Sequence, residues 1–190
     1  MTDMLETLTT RRSAKIALLR EPGPSPDELA RILKVAARVP DHKRLVPWRF
    51  IVFEGDARRQ FGDRLAAILQ AEDAEAPSPV RLETERQRFL RAPLVVAVVS
   101  RIVDTKGAPE WEQILSAGAA ALNLCLAANA LGYGTTWVTE WYAYSKGAAA
   151  AMHLQPGERV AGFVYIGTES ERQPDRERPE MDTIVSRWRG

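Results

Sequence analysis

The sequence predicts an α+β domain, a central sheet with helices on both faces. Short apolar runs rich in β-branched and aromatic residues, about four of them, are scattered among segments of helical periodicity. The clearest run, Leu94-Val95-Val96-Ala97-Val98-Val99, has no polar alternation, so it reads as a strand buried on both sides. At 190 residues the chain fits one domain with an appended arm, residues 169–190.

Residues 3–9 read as a short helix with Met4, Leu5 and Leu8 on one side, followed by a cationic turn, Arg11-Arg12-Ser13-Ala14-Lys15. Pro22, Gly23, Pro24 and Pro26 make residues 18–26 irregular. Ser25 is placed as an N-cap, with Pro26 at the first helical position and Glu28 three residues on. The helix that follows carries Leu29, Ile32, Leu33 and Ala36 along one face and runs to Arg38. Pro40 and Pro47 bias their preceding residues away from helix, so residues 38–49 form a cationic loop between this helix and a strand at residues 50–54.

Gly55-Asp56 opens a helix with Phe61, Leu65, Ile68 and Leu69; residues 72–80 are a loop. Residues 82–91 are a charged helical stretch that ends before Pro93, where the buried strand begins. Residues 111–131 form the longest periodic segment, small and apolar nearly all round, closed by Gly132 as a C-cap. Its length is close to that of a membrane span, but Asn123 and Asn129 interrupt it, so a buried core or subunit-interface helix is expected. A strand at 134–139, a short helix at 145–152 and a strand at 162–166 complete the domain. The tail is charged and proline-punctuated, with an apolar tip, Ile184, Val185 and Trp188, that needs either a groove on a partner subunit or a place on its own domain.

A formal net charge of +1 offers no nucleic-acid or membrane footprint. One cysteine and two histidines build neither a disulfide nor a structural zinc site, so no metal is expected. The first residues lack the basic-then-apolar layout of a signal peptide, and a cytoplasmic location is expected.

The Arg11-Arg12-Ser13 turn offers two guanidinium forks and a hydroxyl, a donor set suited to phosphate oxygens; a solvated charge cluster is the plainer reading. His42 can donate to a ring heteroatom, carry a proton, or be a turn residue held by Asp41. No serine or cysteine is marked out as its nucleophile. Cys125 is expected buried and inert, His153 on the surface. Gly132-Tyr133-Gly134 follows a helix and precedes a strand, the reverse of a dinucleotide fingerprint. Trp137, Val138 and Thr139, on the next strand, can present backbone groups and an aromatic wall to a planar ring.

Taken in order, the Arg11-Arg12-Ser13 turn, Arg38-Val39-Pro40-Asp41-His42-Lys43 with Pro47-Trp48, and Trp111-Glu112-Gln113 leading into Ser116-Ala117-Gly118 resemble the nitroreductase family. Gly132-Tyr133-Gly134 with Trp137, and the strand Gly162-Phe163-Val164-Tyr165-Ile166-Gly167-Thr168, continue the match, which is nearest to the family's short YdjA-like branch. The resemblance implies an α+β homodimer with a central mixed sheet and a C-terminal arm reaching the partner subunit. It also implies one FMN per subunit at the dimer interface and NAD(P)H-dependent, ping-pong reduction of nitro compounds or quinones. By it, Arg11, Arg12 and Ser13 hold the phosphate and ribityl chain, and Lys15 lies near the flavin pyrimidine. Arg38 and His42 come from the other subunit, and Trp137, Val138 and Thr139 line the isoalloxazine. No side chain serves as a nucleophile, because the flavin carries the chemistry. Departures from the family pattern are Val138 for an arginine, Glu140 for a glycine, and Arg44-Leu45-Val46 for polar residues before Pro47-Trp48. Arg172 and Arg176 are the candidates for a further phosphate contact. Alternatives on the same scaffold are a reductive dehalogenase, a flavin-consuming oxygenase, or a non-catalytic FMN-binding protein.

Overall fold

The computed structural model describes residues 4–73, 75–103 and 107–190. Five strands form the sheet: β1 (Leu19–Arg20), β2 (Trp48–Glu54), β3 (Leu94–Arg101), β4 (Gly134–Val138) and β5 (Glu158–Glu169). The helices are α1 (Met4–Thr10), α2 (Pro26–Ala36), α3 (Asp56–Glu72), α4 (Pro79–Arg86), α5 (Glu110–Ala130), α6 (Lys146–Ala151) and α7 (Met181–Ile184). Two residues of expected elements, Asp3 of the first helix and Ala74 of the loop at 72–80, lie outside the described residues.

β3 is the centre of the sheet, paired with β2 on one edge and β5 on the other. The far edge of β5 takes β4 along residues 163–167 and β1 at residues 168–169. Every pairing is antiparallel, a correction to the mixed sheet that the resemblance implied. Period-two alternation sends successive β3 side chains to opposite cores, which is why the run has no polar member. Val95 and Ala97 pack with Phe163 and Tyr165 against α3, α6 and the Phe53, Phe61 and Phe89 rings. Those three rings meet pairwise at centroid distances of 4.7–4.9 Å. Leu94, Val96 and Val98 pack on the other face against Leu29 and Ile32 of α2 and Leu124 and Ala128 of α5.

α2 starts with the expected capping box: Ser25 Oγ accepts from Glu28 N, and Glu28 Oε2 accepts from Ser25 N at 2.9 Å. Such a cap is worth about 1 kcal/mol. α5 lies on the sheet through alanines that allow close approach, with Ala117, Ala120, Ala121 and Ala128 fully buried. It is long and apolar enough to cross a membrane, yet half of its most apolar window is buried within the chain. Its end is a Schellman motif: Gly132, at φ +93°, donates to Asn129 O, and Tyr133 N donates to Ala128 O at 3.0 Å.

Some boundaries differ from expectation. β1 falls inside the stretch read as irregular, β5 is twelve residues long, and β2 starts at Trp48. α4 begins earlier than expected, because Ser78 caps it with Pro79 in its first turn, and a 3₁₀ turn (Arg88–Arg91) replaces its last part. A register shift between Val98 and Val99 leaves Ala161 bulged out of the β3 ladder. The tail runs exposed over the surface apart from buried Gln173, and Trp188 is 92% exposed.

Candidate functional site

Two sequence-predicted segments meet along β4. Ala14 N donates to Thr135 O at 2.9 Å, and Thr136 Oγ1 donates to Ala14 O, so the Arg11-Arg12-Ser13 turn is laid against the strand. Because Thr135 O faces this turn and not β5, alternation turns the backbone N–H and C=O of Trp137 to the same outer edge. Past Ala14 no strand covers that edge among the described residues.

Trp137 is half-exposed and held in one place. Its indole N–H donates to Ala161 O at 3.2 Å, the carbonyl that the β5 bulge leaves free. The ring lies where a side chain on residue 162 would be: a Cβ on Gly162 would stand 1.8 Å from Trp137 Nε1. Val138 turns the other way and packs against the aromatic core, while Thr139 is exposed.

Beside the turn is a cleft of about 290 Å³, lined by Thr10, Arg11, Arg12, Asn129, Glu169 and Arg172 among others. Three buried side-chain atoms without a hydrogen-bond partner occur among the described residues: Arg11 Nε, Asn129 Oδ1 and Glu169 Oε1. All three belong to residues lining this cleft. Buried polar groups are ordinarily satisfied, so a cluster of orphans around one cavity marks a place for a polar ligand or its water. Arg11 Nη2 touches Ser13 Oγ at 3.4 Å, and Arg172 Nη2 donates to Thr10 O at 3.2 Å. Of the two tail arginines considered, Arg172 is the one that lines the cleft. Three guanidiniums at one cleft suit a dianionic phosphate, and the carboxylate and amide oxygens suit hydroxyl donors. The residues therefore fit a phosphorylated polyol chain. Asn129 and Glu169 carried no distinguishing signal in the sequence; the first is one polar residue in an apolar helix, the second one of many tail carboxylates. Lys15, adjoining the turn, is exposed.

Arg38 and His42 are not brought to this cleft within the chain. Ser116 Oγ donates to Pro40 O at 2.8 Å and Asn123 Nδ2 to Arg38 O at 2.9 Å, docking the loop on α5. His42 Nδ1 lies 2.6 Å from Glu112 Oε2, and Asp41 instead caps Leu45 N and Val46 N at 3.0 and 2.9 Å. The reading of His42 as held by Asp41 is thus corrected. The loop is conformationally strained, with Lys43, Arg44 and Val46 at φ of +62°, +56° and +50°. For a β-branched valine that is a real outlier, of the kind that clusters at binding sites. Glu112 and Asn129 are 17 residues apart on α5, so His42 and the cleft are separated by about 25 Å at about 1.5 Å per residue.

Cys125 is buried on α5, and burial pushes its thiol up to about 11. It is inert, as expected. His153 is exposed at the end of α6.

This antiparallel α+β fold thus carries a cationic turn, an open strand edge and an arginine-lined cleft side by side, a donor set that suits a phosphorylated ligand. Over residues 8–168 the sequence matches the Nitroreductase family, and the chain belongs to the nitroreductase family. It is 36% identical over 166 residues to the Escherichia coli (strain K12) protein provisionally named NAD(P)H nitroreductase YdjA, covering 87% of this chain and 88% of that one. A nitroreductase-like family protein from Bacillus cereus superposes with a TM-score of 0.86 at 22% identity, covering 100% of this chain and 98% of the other. A variant of the FMN- and NADPH-dependent nitroreductase NfnB from Sphigopyxis sp. strain HMH superposes with a TM-score of 0.75 at 20% identity, covering both chains fully. At these identities the two structural likenesses are likenesses of fold.

Proposed function

We propose that this protein is an FMN-dependent oxidoreductase that passes a hydride from NAD(P)H to nitroaromatic or quinone-like acceptors. The observation that carries the reading is the convergence of Arg11, Arg12 and Arg172 on one cleft beside the open edge of β4. Family membership and the FMN- and NADPH-dependent fold neighbour support it. FMN, when bound, supplies the two-electron carrier between donor and acceptor.

The chain's own residues bind and orient. Arg11, Arg12, Ser13 and Arg172 would take the phosphate end, and Asn129 and Glu169 offer acceptors for hydroxyls. The edge at residues 137–139 would meet the heterocycle with backbone donors and acceptors. Lys15 adds positive charge beside that edge, which favours negative charge developing there. No cysteine or serine nucleophile is needed. Donor and acceptor then alternate over one open face, which gives ping-pong kinetics.

The reading includes a homodimer of this single domain, located in the cytoplasm. The apolar outer stripe of α5 (Trp111, Ile114, Leu115, Leu122) is exposed in the single chain, as are Met4, Leu5 and Leu8 of α1 and the tip of the arm. A second copy covers these surfaces, and its loop supplies Arg38 and His42 to the cleft. The arm at residues 169–190 then has a partner groove for Ile184, Val185 and Trp188.

The test is direct. Purified protein should be yellow, release FMN on heating, scatter light as a dimer, and oxidise NADH or NADPH when a nitroaromatic or quinone is added. Colourless protein that takes up no added FMN overturns the reading.

A further inference from the structure

Beyond Val138 the chain leaves the sheet, and an ordinary loop would be free to move there. Instead residues 140–142 are each tied by a side chain. The Glu140 carboxylate accepts four hydrogen bonds, from Arg88 Nη1 at 3.0 Å, Arg91 Nη1 at 3.1 Å, Arg91 Nη2 at 2.7 Å and the Tyr142 hydroxyl at 2.7 Å. The Trp141 indole donates to Glu85 Oε2 at 2.9 Å. Tyr142 and Tyr165 hydroxyls lie 2.8 Å apart, and Arg91 also reaches the Tyr165 hydroxyl at 3.0 Å. Arg88 joins the two carboxylates, donating to Glu85 at 2.8 and 3.0 Å, and Arg81 reaches Glu85 at 3.1 Å. The Glu85 side chain is fully buried, and that of Glu140 is 27% exposed.

Such a network is a poor device for stability alone. Desolvating two carboxylates and their arginines offsets most of what their attraction returns, and apolar packing of equal volume does as well. What a network of this kind specifies is one geometry. Here that geometry is of a single short segment. Its other end is pinned too, by the Trp137 indole on the bulged Ala161 carbonyl. Between the two anchors stand the outward backbone groups of Trp137 and the short run to Thr139.

We propose that Glu140 is a positioning residue: held by Arg88, Arg91 and Tyr142, it fixes the end of β4 so that residues 137–139 present a rigid edge to the ring system of the flavin. The inference rests on the FMN reading above and assigns Glu140 no contact with the cofactor. Arg88 and Arg91 belong to the 3₁₀ turn before β3, and both Arg91 and Tyr142 reach the Tyr165 hydroxyl on β5, so Glu140 is referenced to the sheet through its partners.

The experiment titrates FMN and riboflavin into apoprotein of wild type and Glu140→Gln, with visible-region circular dichroism of the bound flavin and the apoprotein melt recorded in parallel. Riboflavin shares the ring and lacks the phosphate. Glu140→Gln should weaken both ligands by the same factor, about tenfold, and change the visible dichroism at temperatures where the apoprotein is folded. Tyr142→Phe removes one bond to Glu140 without removing charge and should shift both affinities in the same direction by about two- to threefold; it carries the test should Glu140→Gln not fold. A lowered melt with wild-type affinities and wild-type dichroism overturns the proposal, since the network would then only stabilise. Weakening of FMN alone also overturns it. Wild-type protein that binds neither flavin overturns the FMN reading itself, and this proposal with it.

Discussion

Gly162→Ala tests how the Trp137 wall is held. The added Cβ would sit 1.8 Å from Trp137 Nε1 and 2.3 Å from Cδ1, so the two cannot coexist as they stand. The indole is the half-exposed partner and is the one that moves. Its departure loses the hydrogen bond to Ala161 O, worth about 0.5–1.5 kcal/mol. An off-rotamer tryptophan adds about 0.5–1.5 kcal/mol. The expected loss of stability is therefore about 1–3 kcal/mol. With a urea slope of roughly 2 kcal/mol/M, the unfolding midpoint falls by about 0.5–1.5 M. Flavin retention should fall as well, because the wall beside the strand edge is displaced. The decisive assay is a double-mutant cycle with Trp137→Ala, which removes the ring before the methyl is added. In that background Gly162→Ala should cost almost nothing. If it costs the same with and without Trp137, the close approach is not what requires glycine there.

Arg11→Ala should weaken FMN by about ten- to a hundredfold, from about 1.5–3 kcal/mol of charge-assisted hydrogen bonding, and leave riboflavin nearly unchanged; equal weakening of the two ligands in a fluorescence titration removes Arg11 from the phosphate. Acid should act through the Glu85 network. Burial alone would raise the Glu85 carboxyl, but hydrogen bonds from Arg88 and Trp141, with the Arg88 and Arg81 charges, outweigh it and hold it below the ordinary carboxylate range. A depressed folded value means the stabilisation is present above the unfolded value, about 4.3, and is lost as pH falls through the folded one. Glu85→Gln, costing roughly 3–5 kcal/mol near neutrality, should therefore approach wild type in urea melts as pH drops from 6 toward 3. A gap that does not change with pH contradicts this.

Elements with a local chemical signature were legible in the sequence. Ser25, Pro26 and Glu28 announce α2 because capping is decided within four residues, and β3 is unmistakable because both its faces are buried. The first half of β5 is not: Glu158 and Arg159 are polar and the bulge at Ala161 breaks the alternation. Strand direction is invisible to periodicity, so an antiparallel sheet could not be distinguished from a mixed one. In the candidate site, Arg11, Arg12 and Ser13 were nameable from the turn and Trp137, Val138 and Thr139 from the strand, and the chain lays Ala14, next to that turn, against Thr135 and Thr136. Whether Arg172 or Arg176 joins them depends on how the tail crosses α1, which no local pattern encodes. The Glu85–Glu140 network read as a charged helix surface and one odd glutamate, because Arg88 and Glu140 are 52 residues apart.

In the proposed homodimer, α5 would account for Arg38 and His42 lying away from the cleft within one chain. It carries the His42 loop near its start, at Glu112, and borders the cleft at its end, at Asn129. The outer face between them is apolar and uncovered, and near its middle Gly118 has nothing within 4 Å of where a Cβ would stand. In the proposed homodimer a two-fold axis makes the interface isologous, each residue facing the same patch on the other copy. An axis passing near Gly118 and crossing α5 sets the two helices antiparallel. The start of one then meets the end of the other, and about 25 Å of separation within a chain becomes proximity between chains. Small residues at the crossing permit that approach, and the strained loop at residues 43–46 is carried to the partner's cleft. The same geometry would give two equivalent sites, one at each end of the helix pair, each drawing on both chains.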